Sequence, residues 1–346
     1  MDESTLLALL QKGAQHRASD VLLKVGQPPA FRVNGALHYL QGDKLKPAQT
    51  AALASIVLQK SRYKGQLEDL QEFDTSYGAP GIGRYRVNVY RQRGTLAMAL
   101  RSIPLRVPTF EELRLPPAVR KLADEERGMI LCVGAAGNGK STTLAAMVDH
   151  VNDNRRCHVV TIEDPIEYIH PDKLASVSQR EIGLDTPTFA KALRAALRQD
   201  PDVILVGEIR DEETMDIALK AAETGHLVLS TLHTPDVSRT IGRVLALAGS
   251  ASSSETRERF ADNLKGIIAQ RLLPKADGSG RVVAVEVMVV TGTARETIRS
   301  PEGNLPLKDV MERGVHPYGM QTFEMSLREL VKSGELDVDV ARAALG

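Results

Sequence analysis

The sequence predicts an α/β protein in which an N-terminal α+β domain precedes a C-terminal domain built on a mostly parallel sheet. The chain has 346 residues, more than a single hydrophobic core usually organises, so two domains are expected. The apolar pattern also changes near residue 105, from short strands broken by Gly and Pro to apolar runs that alternate with helical segments. We expect an N-terminal domain over 1–105, a linker over 106–117, a core over 118–304 and a small helical bundle over 305–346.

The N-terminal region reads as helix and strands. Leu6 and Leu10 fall at helical spacing, and VLLKVG, AFRVNG and LHYL read as strands separated by Gly and Pro. Further on, GRYRVNVYRQRG alternates sharply, with Arg84 and Arg86 against Tyr85 and Val87. Because successive side chains of a strand point to opposite faces, this pattern predicts a sheet with one polar, basic face.

A proline-rich segment separates the two patterns. PLRVPTFEELRLPP, from Pro104 to Pro117, contains four prolines, which interrupt helices and sheet ladders alike. The apolar runs MILCV, VVTI, VILVG, LVLSTL and VVAVEVMVV follow it, separated by helical segments. Strands buried on both faces and joined by helices indicate a mostly parallel sheet.

Composition excludes several classes of protein. Basic and acidic residues balance at 44 each, so the formal net charge is zero, whereas nucleic-acid binding usually needs an excess of Lys and Arg. We therefore expect no nucleic-acid partner. No apolar run approaches the ~18 residues of a membrane helix, and the N-terminus does not resemble a signal peptide, so a cytoplasmic protein is expected. The chain has two cysteines, too few for a four-cysteine zinc site.

The segment GAAGNGKST fits the phosphate-loop pattern G-x-x-x-x-G-K-[ST]. A strand-like run precedes it and an amphipathic helical segment follows, so that backbone N–H groups and the helix N-terminus face a phosphate. Lys140 is expected to bridge the β and γ phosphates of ATP, and the Ser141 hydroxyl to ligate Mg²⁺. The predicted nucleotide-binding residues are Gly134, Ala135, Ala136, Gly137, Asn138, Gly139, Lys140, Ser141 and Thr142.

Two carboxylates and a histidine stand at predicted strand ends, where ligands gather in an open α/β sheet. Glu208 follows VILVG and is the candidate for the metal shell, acting on Mg²⁺ through water. Glu163 lies in TIEDPIEY and is the candidate for orienting or deprotonating the attacking water. His233 closes LVLSTLH and is placed to contact the γ-phosphate.

Four blocks follow one another along the core: GNGKSTTLAAMVDHVN, TIEDPIEYIH, SQREIGLDTPTFAKALRAALRQDPDVILVGEIRD and AAETGHLVLSTLHT. In this order they resemble the Walker A, Asp-box, Walker B and His-box motifs of the secretion ATPases, which drive type II secretion and type IV pili. ASDVLLKVGQPPAFRVNG and GRYRVNVYRQRG are similar to the PAS-like N-terminal domain of that superfamily. The resemblance implies a homo-hexameric ring of RecA-like domains that hydrolyses Mg-ATP at subunit interfaces.

The resemblance also assigns roles to single residues. Lys140 and Ser141 match the residues that hold phosphate and Mg²⁺. Glu163 matches the catalytic glutamate, Glu208 the Walker B glutamate, and His233 the histidine near the γ-phosphate.

The basic strand supplies candidates for arginines that reach the ATP of a neighbouring subunit, a contact that suits a planar guanidinium. The candidates are Arg84, Arg86, Arg91 and Arg93. Spacing does not select among them, and Arg84 and Arg91 are our first choices.

The C-terminal segment YGMQTFEMSLRELVKSGEL is similar to the helices of the pilus retraction branch. Extension and type II secretion relatives usually carry an additional N-terminal region and often a four-cysteine zinc site, which this sequence does not show. We therefore expect a motor that powers pilus retraction and twitching motility. It would act on the inner-membrane platform protein, at the cytoplasmic side of the pilus base.

Three departures from the family pattern keep alternatives open. The loop reads AAGNGK where the family commonly has PTGSGK. The substituted positions contribute backbone, so we expect nucleotide binding to survive. A serine-rich segment, LAGSASSSETRERF, replaces a proline-containing turn. TARETIRS stands where the PilT branch has AIRNLIRE, and QRLLPKADGSGRVVAVEV leans toward PilU. A primary retraction motor, an accessory PilU-like paralogue that acts with another pilus ATPase, and a type II secretion-type assembly ATPase therefore remain open.

Two rival functions follow from the same motifs. A DNA-translocating ATPase would also use RecA-like rings, but the neutral charge and the absence of Trp disfavour a nucleic-acid channel. A nucleotide-sensing ring subunit without turnover is disfavoured by the intact Lys140, Ser141, Glu163 and Glu208.

Overall fold

The computed structural model describes residues 1–60, 67–104, 106–247 and 253–345. Leu105 of the proline-rich segment and residues 248–252 of the serine-rich segment lie outside the described residues. The chain divides into two compact units, which we call the N-terminal unit and the C-terminal unit. The N-terminal unit comprises Met1–Arg106, Pro165–Ile169 and Glu181–Pro187, and the C-terminal unit comprises Val107–Asp164, His170–Arg180 and Thr188–Gly346.

The N-terminal unit combines helices with one antiparallel sheet, ordered β3-β2-β1-β6-β5-β4. Its elements are α1 (Glu3–Gln15), β1 (Asp20–Leu23), β2 (Ala30–Val33), β3 (Ala36–Tyr39), α2 (Pro47–Val57), a 3-10 turn (Leu58–Lys60), β4 (Glu72–Ala79), β5 (Gly83–Gln92) and β6 (Thr95–Ser102). Along β5, Tyr85, Val87 and Val89 are buried while Arg86 is exposed. The predicted basic face is therefore present, opposite a core that also includes Phe31.

The C-terminal unit is built on a seven-stranded sheet in the order β13-β12-β7-β11-β10-β8-β9. Its strands are β7 (Gly128–Val133), β8 (His158–Glu163), β9 (Ser176–Glu181), β10 (Val203–Val206), β11 (Leu227–Leu232), β12 (Leu264–Pro274) and β13 (Arg281–Val289). Strands β12, β7, β11, β10 and β8 run parallel, and β13 is antiparallel to β12. The expected mostly parallel α/β fold is confirmed.

Helices join and flank these strands. They are α3 (Pro117–Ala123), α4 (Lys140–Asn154), α5 (Phe189–Ala196), α6 (Glu212–Glu223), α7 (Val237–Leu247), α8 (Ser253–Asn263), α9 (Gly292–Arg299), α10 (Leu307–Arg313), α11 (Phe323–Lys332) and α12 (Val338–Leu345). Local capping explains several helix starts: the side chains of Thr188, Asp211 and Thr322 accept backbone N–H groups at the first turns of α5, α6 and α11. Among the described residues no helix combines the length and apolarity needed to cross a bilayer.

The C-terminal segment that follows β13 packs against the β12–β13 hairpin. The Ser326 hydroxyl accepts the N–H of Val285 at 3.0 Å, and Gln321 forms a bridge with Val287. The Arg271 guanidinium lies 4.2 Å from the centre of the Phe323 ring, a cation–π contact.

Candidate active site

The predicted site residues of the C-terminal unit gather at one edge of its sheet. Strands β7, β11, β10 and β8 are consecutive neighbours and run parallel, so their carboxyl ends meet at the same edge. GAAGNGKST follows β7 and His233 follows β11. Glu208 stands two residues after the end of β10, and Glu163 is the last residue of β8. The fold therefore brings together the loop, both glutamates and the histidine.

The loop has the backbone form that phosphate binding requires. Gly134, Gly137 and Gly139 have φ values of +145°, +79° and +83°, which residues with a Cβ rarely adopt. At Gly134 a Cβ would lie 2.5 Å from the carbonyl oxygen of Gln270, so a side chain is excluded there by contact as well as by conformation. Gly139 is the N-cap of α4, and the unsatisfied N–H groups of this helix start face the loop.

Lys140 is held at the centre of the loop. Its side chain is buried, and its Nζ donates to the carbonyl oxygens of Gly134 at 2.9 Å and Ala135 at 3.0 Å. Ser141 is exposed beside it. The glycine conformations, the helix start and this ammonium group together fit a bound polyphosphate with its Mg²⁺.

At one of the substituted positions, Asn138, the side chain makes a contact in addition to the backbone. Its Oδ1 accepts the backbone N–H of Leu272 at 3.2 Å. Sequence inspection missed this contact because Leu272 belongs to β12, a strand that the apolar pattern did not reveal.

Glu208 is largely buried and lies between two basic side chains. One carboxylate oxygen pairs with the Arg210 guanidinium, and the other lies 3.3 Å from Nε2 of His233. Only 12% of the Glu208 side chain is exposed, against 54% for His233. The hydrogen bond to Glu208 raises the pKa of Arg210, so this carboxylate meets a fixed positive charge. Arg210 was not singled out from the sequence, although it stands two residues after Glu208.

Gly207, between β10 and Glu208, explains how the carboxylate is placed. Its N–H donates to the carbonyl oxygen of Ile162 at 2.8 Å, and a Cβ at this position would lie 3.2 Å from the same oxygen. Its own carbonyl accepts the Thr231 hydroxyl at 2.7 Å. Strands β8, β10 and β11 are thus tied together just before Glu208.

Glu163 is oriented by two side chains that the sequence did not point to. Its Oε1 accepts the Thr161 hydroxyl at 2.6 Å and the Gln179 amide at 3.1 Å. Thr161 lies on the same strand, two residues earlier, and Gln179 lies on β9. These donors fix the direction of a half-buried carboxylate, which suits a residue that must orient a water molecule.

The first-choice arginines belong to the N-terminal unit and bind within it. Arg84 pairs with Glu181 at 2.8 Å and donates to the Ser76 hydroxyl at 2.6 Å. Arg91 donates to the carbonyl oxygens of Leu70 at 2.7 Å, Leu67 at 2.8 Å, Glu68 at 3.0 Å and Gly94 at 3.3 Å.

The side chains of Arg84 and Arg91 therefore both bind groups of the N-terminal unit itself. Arg93 lies at the turn after β5 with φ of +49°, and Arg86 is exposed on β5. Within the described part of the chain, the side chains of Arg86 and Arg93 have neither a hydrogen-bond nor an ion-pair partner.

A cavity of ≈ 220 Å³ lies beside the loop. Its lining includes Asn138, Gly139 and Thr142 together with apolar and charged side chains of neighbouring segments; these are Leu113, Leu272, Glu112, Arg114, Lys275 and Arg281. A cavity of mixed lining next to a phosphate site has room for further groups of a nucleotide.

Buried polar side chains anchor the first turn of α4. Gln270, 1% exposed, donates to the Thr143 hydroxyl at 2.9 Å and accepts from the Cys132 thiol at 3.1 Å. Burial raises the pKa of Cys132 to about 12, so the thiol stays protonated and donates. A glutamine inside the apolar run IIAQRLLP was the available signal for this contact, because a buried polar residue needs a partner.

Comparison with known proteins places this geometry in a family. Residues 109–301 match the family model described as type II/IV secretion system protein. Two curated proteins of Pseudomonas aeruginosa are each 41% identical to the chain over 99% of its length. They are the type IV pilus ATPase PilU, of which 87% is covered, and the type IV pilus retraction ATPase PilT, of which 97% is covered.

A solved structure shows the same fold over the whole chain. The crystal structure of the pilus retraction motor PilT with bound ADP superposes with a TM-score of 0.88 and 42% identity, covering 98% of this chain and 96% of that one. The expected resemblance, the fold class and the assignment to an ATPase family are confirmed.

Proposed function

The chain belongs to the type II/IV secretion system protein family, and on that basis we propose that it is a Mg-ATP-hydrolysing motor that powers type IV pilus retraction. The similarity to PilT over nearly all of both chains supports this function. We further propose that the motor is a homo-hexamer on the cytoplasmic side of the inner membrane, where it acts on the platform protein at the pilus base.

One observation carries the proposed hydrolysis: four consecutive parallel strands deliver a phosphate loop, two glutamates and a histidine to one edge. In this arrangement Lys140 binds the β and γ phosphates of the substrate. Ser141, and Glu208 through water, would hold Mg²⁺, and the bound ion would supply positive charge against the phosphates. His233, whose Nε2 lies 3.3 Å from a carboxylate oxygen of Glu208, is in our proposal the residue that contacts the γ-phosphate.

Glu163 acts on the attacking water. Thr161 and Gln179 donate to one oxygen of its carboxylate, which fixes the direction in which the group accepts a proton from that water. A general base of this kind typically contributes 10²–10⁴-fold to the rate. Arg86 and Arg93 are both exposed and have no side-chain partner among the described residues. Of the two we propose Arg86, which lies within β5, as the arginine that reaches a neighbouring subunit's ATP.

The test of hydrolysis compares carboxamide variants of glutamates at opposite edges of the sheet. Glu163→Gln is expected to lower ATP turnover at least 100-fold while ADP still binds. Glu126→Gln is the matched control, because Glu126 is exposed at the amino end of β7, and its turnover should stay within twofold of the wild type. Unchanged turnover in Glu163→Gln would show that another group activates the water.

A second candidate is an accessory paralogue that works with another pilus ATPase. It is favoured by one observation: the chain is as similar to PilU as to PilT, at 41% identity to each.

Deleting the gene in its host separates the two roles. Abundant pili without twitching, scored by electron microscopy and motility assays, would establish a retraction motor. Normal retraction that fails only under load or in the absence of a second ATPase would establish an accessory role. A cell without pili would instead place the protein in assembly.

A further inference from the structure

One edge of β12 is covered by two different segments. Strand β7 pairs with the first part of this edge, and the phosphate loop lies along the part that follows. β7 pairs with β12 as far as Val133, opposite Ala269, and there β7 ends. β12 continues to Pro274, paired with β13 along its other edge. Backbone groups after Ala269 on the β7 side therefore need other partners, since an unpaired backbone donor is costly when removed from water.

The loop covers this edge and supplies a hydrogen-bond partner for one of those groups, the N–H of Leu272. Gly134 packs its Cα against the carbonyl of Gln270, so closely that a Cβ would lie 2.5 Å from that oxygen. The N–H of Leu272 donates to Oδ1 of Asn138 at 3.2 Å. The side-chain carbonyl of Asn138 thus takes the place of a neighbouring strand's backbone carbonyl and continues the ladder by one bond.

A separate anchor holds the helix that follows. Gln270 binds the Thr143 hydroxyl at 2.9 Å, one turn into α4, and this bond does not involve the loop itself. The Asn138 side chain therefore holds the part of the loop between Gly137 and Gly139. Gln270 holds the first turn of α4.

We propose that Asn138 is a positioning residue for the phosphate loop. By accepting the N–H of Leu272, it holds the backbone of Gly137 and Gly139 in the phosphate-binding form before a nucleotide arrives. The ligand assumed here is the nucleotide of the proposed function. A loop that is already ordered loses less conformational freedom on binding, and this gain appears as affinity.

Removing the Asn138–Leu272 hydrogen bond is expected to weaken the binding of every nucleotide that carries a β-phosphate by the same factor. One hydrogen bond of this kind changes an equilibrium by about threefold to tenfold. Because bound ATP and its transition state use the same ordered loop, removing the bond raises KM and leaves kcat within about twofold. A general loss of folding would instead lower the active fraction and hence the apparent kcat.

The first experiment uses the full chain and three variants. Asn138→Ala removes the acceptor, and Asn138→Ser retains a polar group too short to replace the amide carbonyl. Asn304→Ala is the matched control, because among the described residues the Asn304 amide donates to the Ser300 carbonyl of its own segment. We expect a threefold to tenfold rise in the ADP dissociation constant and in KM for both position-138 variants, and no change for the control. Unchanged ADP affinity in both variants would overturn the proposal.

Hydrogen exchange of the nucleotide-free protein provides an independent readout. Peptides covering Gly134–Gly139 and Leu272 should exchange faster in Asn138→Ala, while peptides covering Met147–Val151 of α4 should not change. Equal exchange at the loop, or faster exchange throughout α4, would contradict a positioning role. If the wild-type chain bound no nucleotide, the proposed function would fail, yet this measurement would still decide what Asn138 does to the loop.

Discussion

Replacing Arg91 by alanine is expected to destabilise the N-terminal unit by about 3 kcal/mol. Its guanidinium binds four backbone carbonyls, of which those of Glu68 and Gly94 belong to exposed residues and return to water in the variant. The carbonyls of Leu67 and Leu70 belong to half-buried and buried residues. Two hydrogen bonds to a charged group, at about 1.5 kcal/mol each, give this magnitude.

The assay is hydrogen exchange in the full chain, reported by peptides of β4 and β5, together with steady-state ATP turnover. Arg86→Ala is the matched control for stability, because this arginine is exposed on the same strand, and its loss should cost less than about 0.5 kcal/mol. If Arg91→Ala left the exchange of β4 and β5 unchanged but lowered turnover more than tenfold, Arg91 would act at the nucleotide and our reading of its contacts would be refuted. Turnover in Arg86→Ala should fall more than tenfold if Arg86 acts in trans.

Three further outcomes are expected. Burial lowers the pKa of His170 from 6.5 to about 4, so its contribution to stability is present above pH 6.5 and is lost as the pH falls toward 4. The free energy of unfolding can be measured in urea by hydrogen exchange of peptides from α4. Between pH 7 and pH 5 it should fall by about 2 kcal/mol more in the wild type than in His170→Gln. Gly134→Ala should abolish ADP binding in calorimetry, because the added Cβ meets the Gln270 carbonyl at 2.5 Å. Arg271→Ala should speed exchange in α11 and α12, since it removes the contacts with Phe323 and with the Ala344 carbonyl.

Some parts of the candidate site were predicted from the sequence. They are the parts whose role depends only on the type of residue and on its position within one continuous segment. A Gly-rich loop ending in Lys140 and Ser141 between an apolar run and a helix admits few other structures. Carboxylates at the ends of buried runs, such as Glu163 and Glu208, follow because parallel strands end at a common edge. Both inferences need no knowledge of which strands are neighbours.

The parts that sequence inspection missed depend on strand neighbours. β12 was not recognised because Gln270 and Arg271 interrupt its apolar run, and two adjacent polar residues suggest a strand end. In the fold each has its own partner, Thr143 and Cys132 for Gln270, Phe323 for Arg271. Those contacts join residues more than fifty positions apart, and no local pattern encodes them.

The same limit explains the first choices among the arginines. Arg84 and Arg91 were our first choices for the arginines that reach a neighbouring subunit. The sequence of a strand with several arginines gives no criterion for selecting among them. Glu181 and the carbonyls that receive Arg91 come from other segments of the N-terminal unit, so their contacts are absent from the local sequence. Among the four candidates, Arg86 and Arg93 are exposed and their side chains have no partner among the described residues. Of these two, Arg86 lies within β5 and is the one we propose.

Strand β12 gives the loop and the C-terminal helices a common support. Successive side chains of a strand point to opposite faces, and here Gln270 contacts α4 while Arg271 contacts α11. The N–H of Leu272, directly after them, carries the bond to Asn138. Because β12 is paired with β13 at nine positions, from Gly266 to Pro274, these three contacts share one rigid ladder. The order of the phosphate loop therefore depends on a strand whose opposite face holds the last helices of the chain.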